Sequence, residues 1–419
     1  MDDNHPLHGR FIKKALLAAL GDTPVVLIHG TRQCGKSTLA RQIAATDNPA
    51  RYITLDDAVM LSAIKADAAG FLAGLDGPVV LDEVQRAPEL FIAIKAIVDR
   101  NRRPGRFLLT GSANVLLLPK LSESLAGRME VLTLWPFSEG ELAGTQSSFI
   151  DAMFGADPPA RGAGAGDVFN RILRGGFPPA VERIDPERRR AWFGSYILTI
   201  LQRDVRDISQ IDNLAALPRV LALIAGRVGA LVNFAELGRN LGIPQTTLKR
   251  YFALFEATFL TCLAPAWSTN RGKRLIKTPK LYLNDTGLAA SLLGLTAEML
   301  QRDTIARGGL LENFVVMELL KQAGWSATRT QLFHFRTASG QEVDFLLESD
   351  AGAIVGIEVK ASSTVTGHDF NGLRALAEMA GSRFHRGIVL YTGSETVPFG
   401  ANLFALPVDA LWNGKPAGI

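Results

Sequence analysis

The eight residues Gly30-Thr31-Arg32-Gln33-Cys34-Gly35-Lys36-Ser37 restrict this chain more than any other stretch. Two glycines bracket four residues and are followed by a lysine and a hydroxyl, the spacing of a phosphate-binding P-loop. Before them the apolar run Pro24-Val25-Val26-Leu27-Ile28-His29 reads as a buried strand; after them Thr38-Leu39-Ala40-Arg41-Gln42-Ile43-Ala44 has helical spacing. In that context backbone N–H groups curl around a phosphate, and the helix N-terminus adds its positive end. The cradle then consists of Gly30, Thr31, Arg32, Gln33, Cys34, Gly35, Lys36, Ser37 and Thr38. Lys36 reaches the β- and γ-phosphates, and the Ser37 hydroxyl completes a Mg²⁺ shell.

A bare loop pattern also arises by chance, so a second element matters. Gly77-Pro78-Val79-Val80-Leu81-Asp82-Glu83 is an apolar strand ending in two acids. Asp82 is the expected Mg²⁺ partner, and Glu83 the group that polarises the attacking water. The plain alternative, a buried strand with a solvated acidic tip, loses weight once the P-loop lies upstream. Together the two elements predict a chain that binds a nucleoside triphosphate with Mg²⁺ and hydrolyses it.

The neighbouring segments supply the frame. Phe11 to Leu20 reads as an amphipathic helix, Arg51 to Asp56 as a strand and Leu90 to Val98 as a helix. Arg106 to Ser112 is a buried strand with a polar tip, and Met129 to Trp135 the last strand. Strands alternating with helices predict a parallel sheet with its ligand at the strands' C-terminal ends. Thr110 and Ser112 would then lie beside the γ-phosphate as a sensor.

Bulk properties exclude some classes. No apolar run in the 419 residues reaches membrane-spanning length, and Met1 to Arg10 is polar, so no membrane partner is expected. The two cysteines, Cys34 and Cys262, make no disulfide framework, which suits a reducing cytoplasm. None of the six histidines pairs with cysteine at metal-ligand spacing, and a net charge of +4 permits a nucleic-acid partner without requiring one.

From Pro136 the pattern turns helical. The tract Gly155 to Asp167 has little to bury and reads as a loop, Arg174-Gly175-Gly176-Phe177-Pro178-Pro179 as a fixed turn between lid helices, and Trp192 to Arg206 as a long helix carrying Arg203, Asp204, Arg206 and Asp207. The turn either touches the base of the nucleotide or is an ordinary connection. Next, Asn233 to Leu241, Gly242-Ile243-Pro244 and Gln245 to Ala257 have helix-turn-helix spacing and suggest a winged helix. If that module reads DNA, Gln245, Thr246, Thr247, Lys249 and Arg250 open the recognition helix. Arg271, Lys273, Arg274 and Lys277, in the acid-free run Asn270 to Lys280, would follow phosphates as a wing. A packing module and a solvated hairpin are the plain alternatives.

Further on, Gln341 to Leu347 and Ile354 to Lys360 alternate as two strands. Folding them about Ala351 sets Asp344 opposite Glu358 and Glu342 opposite Lys360 on one face. That spacing matches the Asp…Glu-x-Lys core of metal nucleases, in which acids hold Mg²⁺ and the lysine assists the attacking water. Glu312, on the preceding helix, would be a further acid. A cross-strand ion pair, or a nuclease fold without activity, reads the same residues differently.

The strand order resembles the AAA+ branch of P-loop ATPases, whose members assemble into rings or arcs and complete each site with a neighbour's arginine. That likeness implies a homo-oligomer, a hexamer being one size, with Arg128 the first candidate for the finger and Arg102, Arg103 and Arg106 its rivals. Over nearly its whole length the chain also resembles prokaryotic AAA-type ATP-binding proteins that carry a C-terminal domain of unknown function 4143. The likeness runs through the P-loop, Leu81-Asp82-Glu83-Val84-Gln85, Leu109-Thr110-Gly111-Ser112, Leu125-Ala126-Gly127-Arg128, Gly175-Gly176-Phe177-Pro178 and Arg203-Asp204-Val205. It continues through Lys277 to Tyr282, Asp285-Thr286-Gly287-Leu288 and the Glu342-Val343-Asp344 and Glu358-Val359-Lys360 pair. Cys34 in the loop and the Gly155 to Asp167 tract depart from that pattern. The likeness implies an α/β chain: a P-loop AAA+ parallel-sheet core over 1–136, a helical lid over 137–212, a winged helix over 213–280 and a restriction-endonuclease-like α/β domain over 281–419. The function expected is an oligomeric Mg²⁺-dependent ATPase moving on DNA, as translocase or branch-remodelling motor. An ATP-regulated metal-dependent endonuclease and a nucleotide-switched protein scaffold are the alternatives.

Overall fold

The computed structural model describes residues 8–112, 125–146, 148–156, 166–201, 216–274 and 277–413. Residues 157–165 of the Gly/Ala/Pro tract, and Arg203, Asp204, Arg206 and Asp207, lie outside the described residues, as do the side chains of Arg271 and Lys273.

Five short strands, β1 (Val25–His29), β2 (Arg51–Thr54), β3 (Val79–Asp82), β4 (Phe107–Gly111) and β5 (Met129–Thr133), form one sheet in the order β2-β3-β4-β1-β5. Every neighbouring pair is parallel. The near-continuous apolar runs follow from burial on both faces. Val25, Leu27, Val79, Leu81, Phe107 and Leu109 pack with Phe91, Ile94 and Val98 of the helix Leu90–Arg100. Val26, Ile28, Val80 and Leu108 pack with Leu16 and Leu20 of the helix Lys13–Asp22 and with Leu39 and Ile43 of Lys36–Ala45. Each such side chain contributes roughly 1.5–3 kcal/mol on burial, so β1 is held rigidly where it delivers the loop. Two glycines make that delivery feasible. A β-carbon on Gly30 would lie 2.1 Å from the Leu134 carbonyl oxygen, and Gly35, with φ +100°, turns the chain into the helix Lys36–Ala45.

Beyond β5 the chain is helical. The helix Pro186–Thr199 starts earlier than the apolar period suggests, because Asp185 caps the Glu187 amide (2.8 Å) and Pro186 takes the first position. The helices Phe234–Leu241 and Gln245–Ala257 are joined at Gly242, and two antiparallel strands, β6 (Thr261–Ala264) and β7 (Lys280–Leu283), follow them. Leu231 bridges Lys280 on the other side of β7. The connection between β6 and β7 is not the solvated hairpin weighed as the plain alternative to a wing: Ala266 pairs with His334, and Arg271–Arg274 is a short helix.

The last sheet holds β8 (Thr330–Arg336), β9 (Glu342–Ser349), β10 (Ile354–Lys360), β11 (Phe384–Tyr391), β12 (Val397–Gly400) and β13 (Leu403–Pro407), in the order β12-β13-β11-β10-β9-β8. The contacts β10–β11 and β11–β13 are parallel and the others antiparallel. One face packs on the helix Thr304–Ala323, the other on Asn371–Ala380. The first of these cores is continuous from Phe149 to Trp412, so the helical region, the helix-turn-helix and the last sheet are packed on one another. Among the described residues no helix is long and apolar enough to cross a membrane.

Candidate functional site

The ends of β1, β3 and β4 lie side by side, and the chemistry-bearing residues meet there. Lys36 is buried, its Nζ donating to the carbonyls of Gly30 (2.9 Å) and Thr31 (2.8 Å). The Ser37 hydroxyl donates to Asp82 Oδ1 at 2.8 Å. Asp82, only 3 % exposed, also accepts from the hydroxyls of Tyr52 (2.6 Å), Thr54 (3.4 Å) and Thr110. Thr54 reaches it because β2 and β3 pair in register, Thr54 beside Asp82.

Glu83 leaves the strand with φ +63°, a left-handed backbone that is uncommon for a residue with a side chain. Its amide donates to Thr110 Oγ1 (3.1 Å), and its carboxylate accepts from Ser112 Oγ (3.1 Å) and from Gln85 Nε2. Gln85 also donates to Ser112 Oγ (2.9 Å) and accepts from the Ser112 amide (3.3 Å). Ser112 and Thr110 therefore stand beside the two acids, and Gln85 joins them although its spacing gave it no role.

Two long-range groups brace the loop. Arg10 donates to the carbonyls of Cys34 (2.7 Å) and Trp135 (2.6 Å) and pairs with Glu141 (3.0 Å). The hydroxyl of Tyr196, on the helix Pro186–Thr199, is 2.8 Å from Thr31 Oγ1 and donates to the Arg32 carbonyl at 3.1 Å. Cys34 is buried, its thiol donating to the Leu134 carbonyl (3.2 Å), and acts as a small residue that fits. Under the loop His29 contacts Thr133 Oγ1 (2.8 Å) and the Phe259 ring. Burial, and then the charge of Lys36, push its pKa down to about 4, so the imidazole is neutral. Gln33 and Thr38 are exposed and Arg32, Gly35 and Ser37 half-buried, leaving the outer rim of the loop to solvent.

The turn at Gly175 is not available to a nucleotide base. The Gly176 amide donates to Asp285 (2.7 Å), its carbonyl accepts from Phe137 (2.8 Å), and Phe177 is buried against Trp192, Phe193 and Tyr196.

Arg128 precedes β5 at the N-terminal edge of the sheet, one strand length (roughly 15 Å) from the loop of its own chain. It pairs with Asp99 at 2.5 Å. Of its rivals, Arg102 donates to the Gly127 carbonyl (2.7 Å) and Arg103 is exposed. Arg106 is taken up by the Leu75 carbonyl (2.5 Å) and the Phe107 ring.

Gln245, Thr246, Lys249 and Arg250 are exposed on the first turns of Gln245–Ala257, with Thr247 half-buried, and Lys277 is exposed. Arg274 departs from the expectation: it lies over Trp267 and Phe333 and pairs with both oxygens of Glu348 (2.5 and 3.2 Å), so it does not follow phosphates.

The β9–β10 register, Ile357 beside Phe345, puts Asp344 opposite Glu358 one step on. Glu312 joins them, and Lys360 Nζ donates to Glu358 at 2.9 Å. Glu342 does not belong to this group. It is exposed and faces Arg336 across β8 at 3.8 Å, because β8 supplies its partner.

This loop on this sheet defines a P-loop protein of the AAA class. Residues 22–143 match the AAA domain model, residues 166–299 a domain of unknown function (DUF8612) and residues 307–411 another (DUF4143). The chain is 34 % identical over 399 residues to the uncharacterized proteins Rv2008c of Mycobacterium tuberculosis and Mb2031c of Mycobacterium bovis, covering 94 % of this chain and 82 % of each relative. It belongs to their family, that of AAA-type proteins with a C-terminal DUF4143 region. Among solved structures, the Thermotoga maritima RuvB Holliday junction branch migration motor is similar at 22 % identity and TM-score 0.29, covering 61 % of this chain and 89 % of that one. A DNA replication initiation factor follows at 14 % and 0.25, covering 58 % and 85 %. Scores this low speak to neither substrate nor partner.

Proposed function

We propose that this chain is a Mg²⁺-dependent ATPase that works as a homo-oligomer and uses nucleotide turnover to move a winged-helix module on DNA. One observation carries the nucleotide part. Asp82 is a buried carboxylate reached by the hydroxyls of Ser37, Tyr52, Thr54 and Thr110 and, among the described residues, by no ammonium or guanidinium. A buried anion fed only by neutral donors is one cation short. Oxygen donors suit a hard cation, so Ser37 and Asp82 would hold Mg²⁺, which when bound offsets charge on the β- and γ-phosphates. Lys36, now on two loop carbonyls, is placed to transfer its ammonium to phosphate oxygens. Glu83 would orient the attacking water once released from Gln85 and Ser112.

The oligomeric part rests on Arg128, which stands too far from its own loop to serve it and at an edge that a neighbour could face. The DNA part rests on the exposed first turns of Gln245–Ala257. The C-terminal sheet enters this reading as a restriction-endonuclease-like fold, not as an activity. ATP turnover measured at low salt with duplex, forked and four-way DNA tests it: stimulation and a gel shift are expected. Turnover indifferent to all three DNAs, with no shift, removes DNA from the account.

A further inference from the structure

The chain gathers buried charge where β7, the helix Thr304–Ala323, β9 and β10 meet. The Asp…Glu-x-Lys arrangement there implies a divalent cation on Asp344 and Glu358, yet the residues present do not fit one. Lys280 Nζ donates to Asp344 Oδ1 at 2.8 Å and to Glu312 Oε1 at 2.9 Å, so an ammonium already bridges Asp344 and Glu312, while Lys360 neutralises Glu358. Both oxygens of Asp344 and both of Glu358 are engaged. Asp344 Oδ2 accepts from the Val359 amide (3.0 Å), Glu312 Oε1 from Tyr282 (2.7 Å), and Glu358 from Lys360 (2.9 Å) and the Asp344 amide (3.4 Å). Among the described residues no group of three histidine, cysteine or acidic side chains is disposed to hold a metal ion. Lys280 itself is 4 % exposed, and Asp344 and Glu312 outweigh the effect of burial to keep its ammonium charged.

A second contact repeats the pattern. Arg274, from the connection that ends in β7, pairs with Glu348 at the other end of β9, where Arg383 also reaches Glu348 (3.3 Å). The β6–β7 segment thus presents two cations to two acids of one strand, and Ala266 extends the β8 edge beside them.

We propose that Lys280 is the resident cation of this cluster, standing where a metal nuclease would keep its divalent ion and bolting the segment after the helix-turn-helix to the C-terminal sheet. In this arrangement the sheet is closed to metal-dependent phosphodiester cleavage and serves as the anchor of the β6–β7 segment. The inference rests on the nuclease-like reading of the sheet and is independent of ATP turnover.

Manganese binding to the full chain without nucleotide, followed by electron paramagnetic resonance, tests it. Wild type and Asp344→Asn are expected to give superimposable isotherms. Lys280→Ala is expected to gain one Mn²⁺ site at least tenfold tighter than any in wild type, and Lys280→Ala with Asp344→Asn to lose it. Where alanine does not fold, Lys280→Gln, whose amide refills the space without the charge, takes its place. A wild-type site that disappears in Asp344→Asn overturns the proposal. So does a Lys280 variant that melts cooperatively yet gains no site. Because no readout involves ATP, failure here leaves the nucleotide reading untouched.

Discussion

Tyr196 joins the helical region to the P-loop, and replacing it with phenylalanine isolates that link. The ring would stay packed, stacked on Trp192 (centroids 5.0 Å apart) and against Phe177 (4.9 Å), so no cavity opens. Only the hydroxyl leaves, with its contacts to Thr31 Oγ1 (2.8 Å) and the Arg32 carbonyl (3.1 Å). Thr31 is fully buried, so its hydroxyl loses this partner with no water to replace it. A stranded buried hydroxyl costs about 1–3 kcal/mol and an ordinary hydrogen bond contributes about 1 kcal/mol, which places the loss near 2–3 kcal/mol. If half of that holds the loop in its phosphate-binding shape, ATP affinity falls by roughly tenfold. Titration with a fluorescent ATP analogue reads the affinity, and denaturant melts read the stability. A double-mutant cycle with Thr31→Val is expected to show a coupling of at least about 1 kcal/mol. Strict additivity, with affinity within twofold of wild type, would refute the reasoning.

Other outcomes follow from the same contacts. Burial, and then the charge of Asp344, raise Glu358 to about 8 and Glu312 to about 7 from the ordinary 4.5. The folded chain therefore binds more protons than the unfolded one between pH 4.5 and 8, and stability falls as pH rises through that window. Denaturant melts from pH 5 to pH 8 should show the fall, and Glu358→Gln should flatten it; a variant as steep as wild type would contradict the assignment. If Arg128 acts across subunits, Arg128→Ala and Lys36→Ala are each expected to lose at least about 10³-fold in turnover, and mixing them should restore a measurable fraction. Mixtures as inactive as their components would exclude the finger. Replacing Lys249 and Arg250 with alanine should weaken all DNA sequences alike and lower the salt slope by about 2. An unchanged slope would move the DNA contact elsewhere.

What the sequence made legible was local, and what it hid was long-range. The loop, Asp82, Glu83, Thr110 and Ser112 could be read because each sits at the end of an apolar run, and a parallel sheet brings such ends together. Tyr52 and Thr54 were hidden because their approach to Asp82 is set by the β2–β3 register, not by spacing. Arg10 and Tyr196 act across more than 100 intervening residues, and nothing in their own segments marks them. The β9–β10 alternation put Asp344 opposite Glu358, but Glu342 was claimed by Arg336 from β8, whose place was not readable. Lys280 and Arg274 look like surface charge in an acid-free run. The acids that bury them arrive from Glu312, Asp344 and Glu348, at least 32 residues later.

The central claim is a triphosphate held by the loop amides, Lys36 and a cation at Ser37 and Asp82. Calorimetric titration of the full chain with ATP and Mg²⁺, beside Lys36→Ala, tests it most directly. The expected result is one nucleotide per chain, with affinity at least a hundredfold weaker and turnover absent in the variant. Wild type that takes up no ATP, or a variant that binds and turns over like wild type, would contradict it.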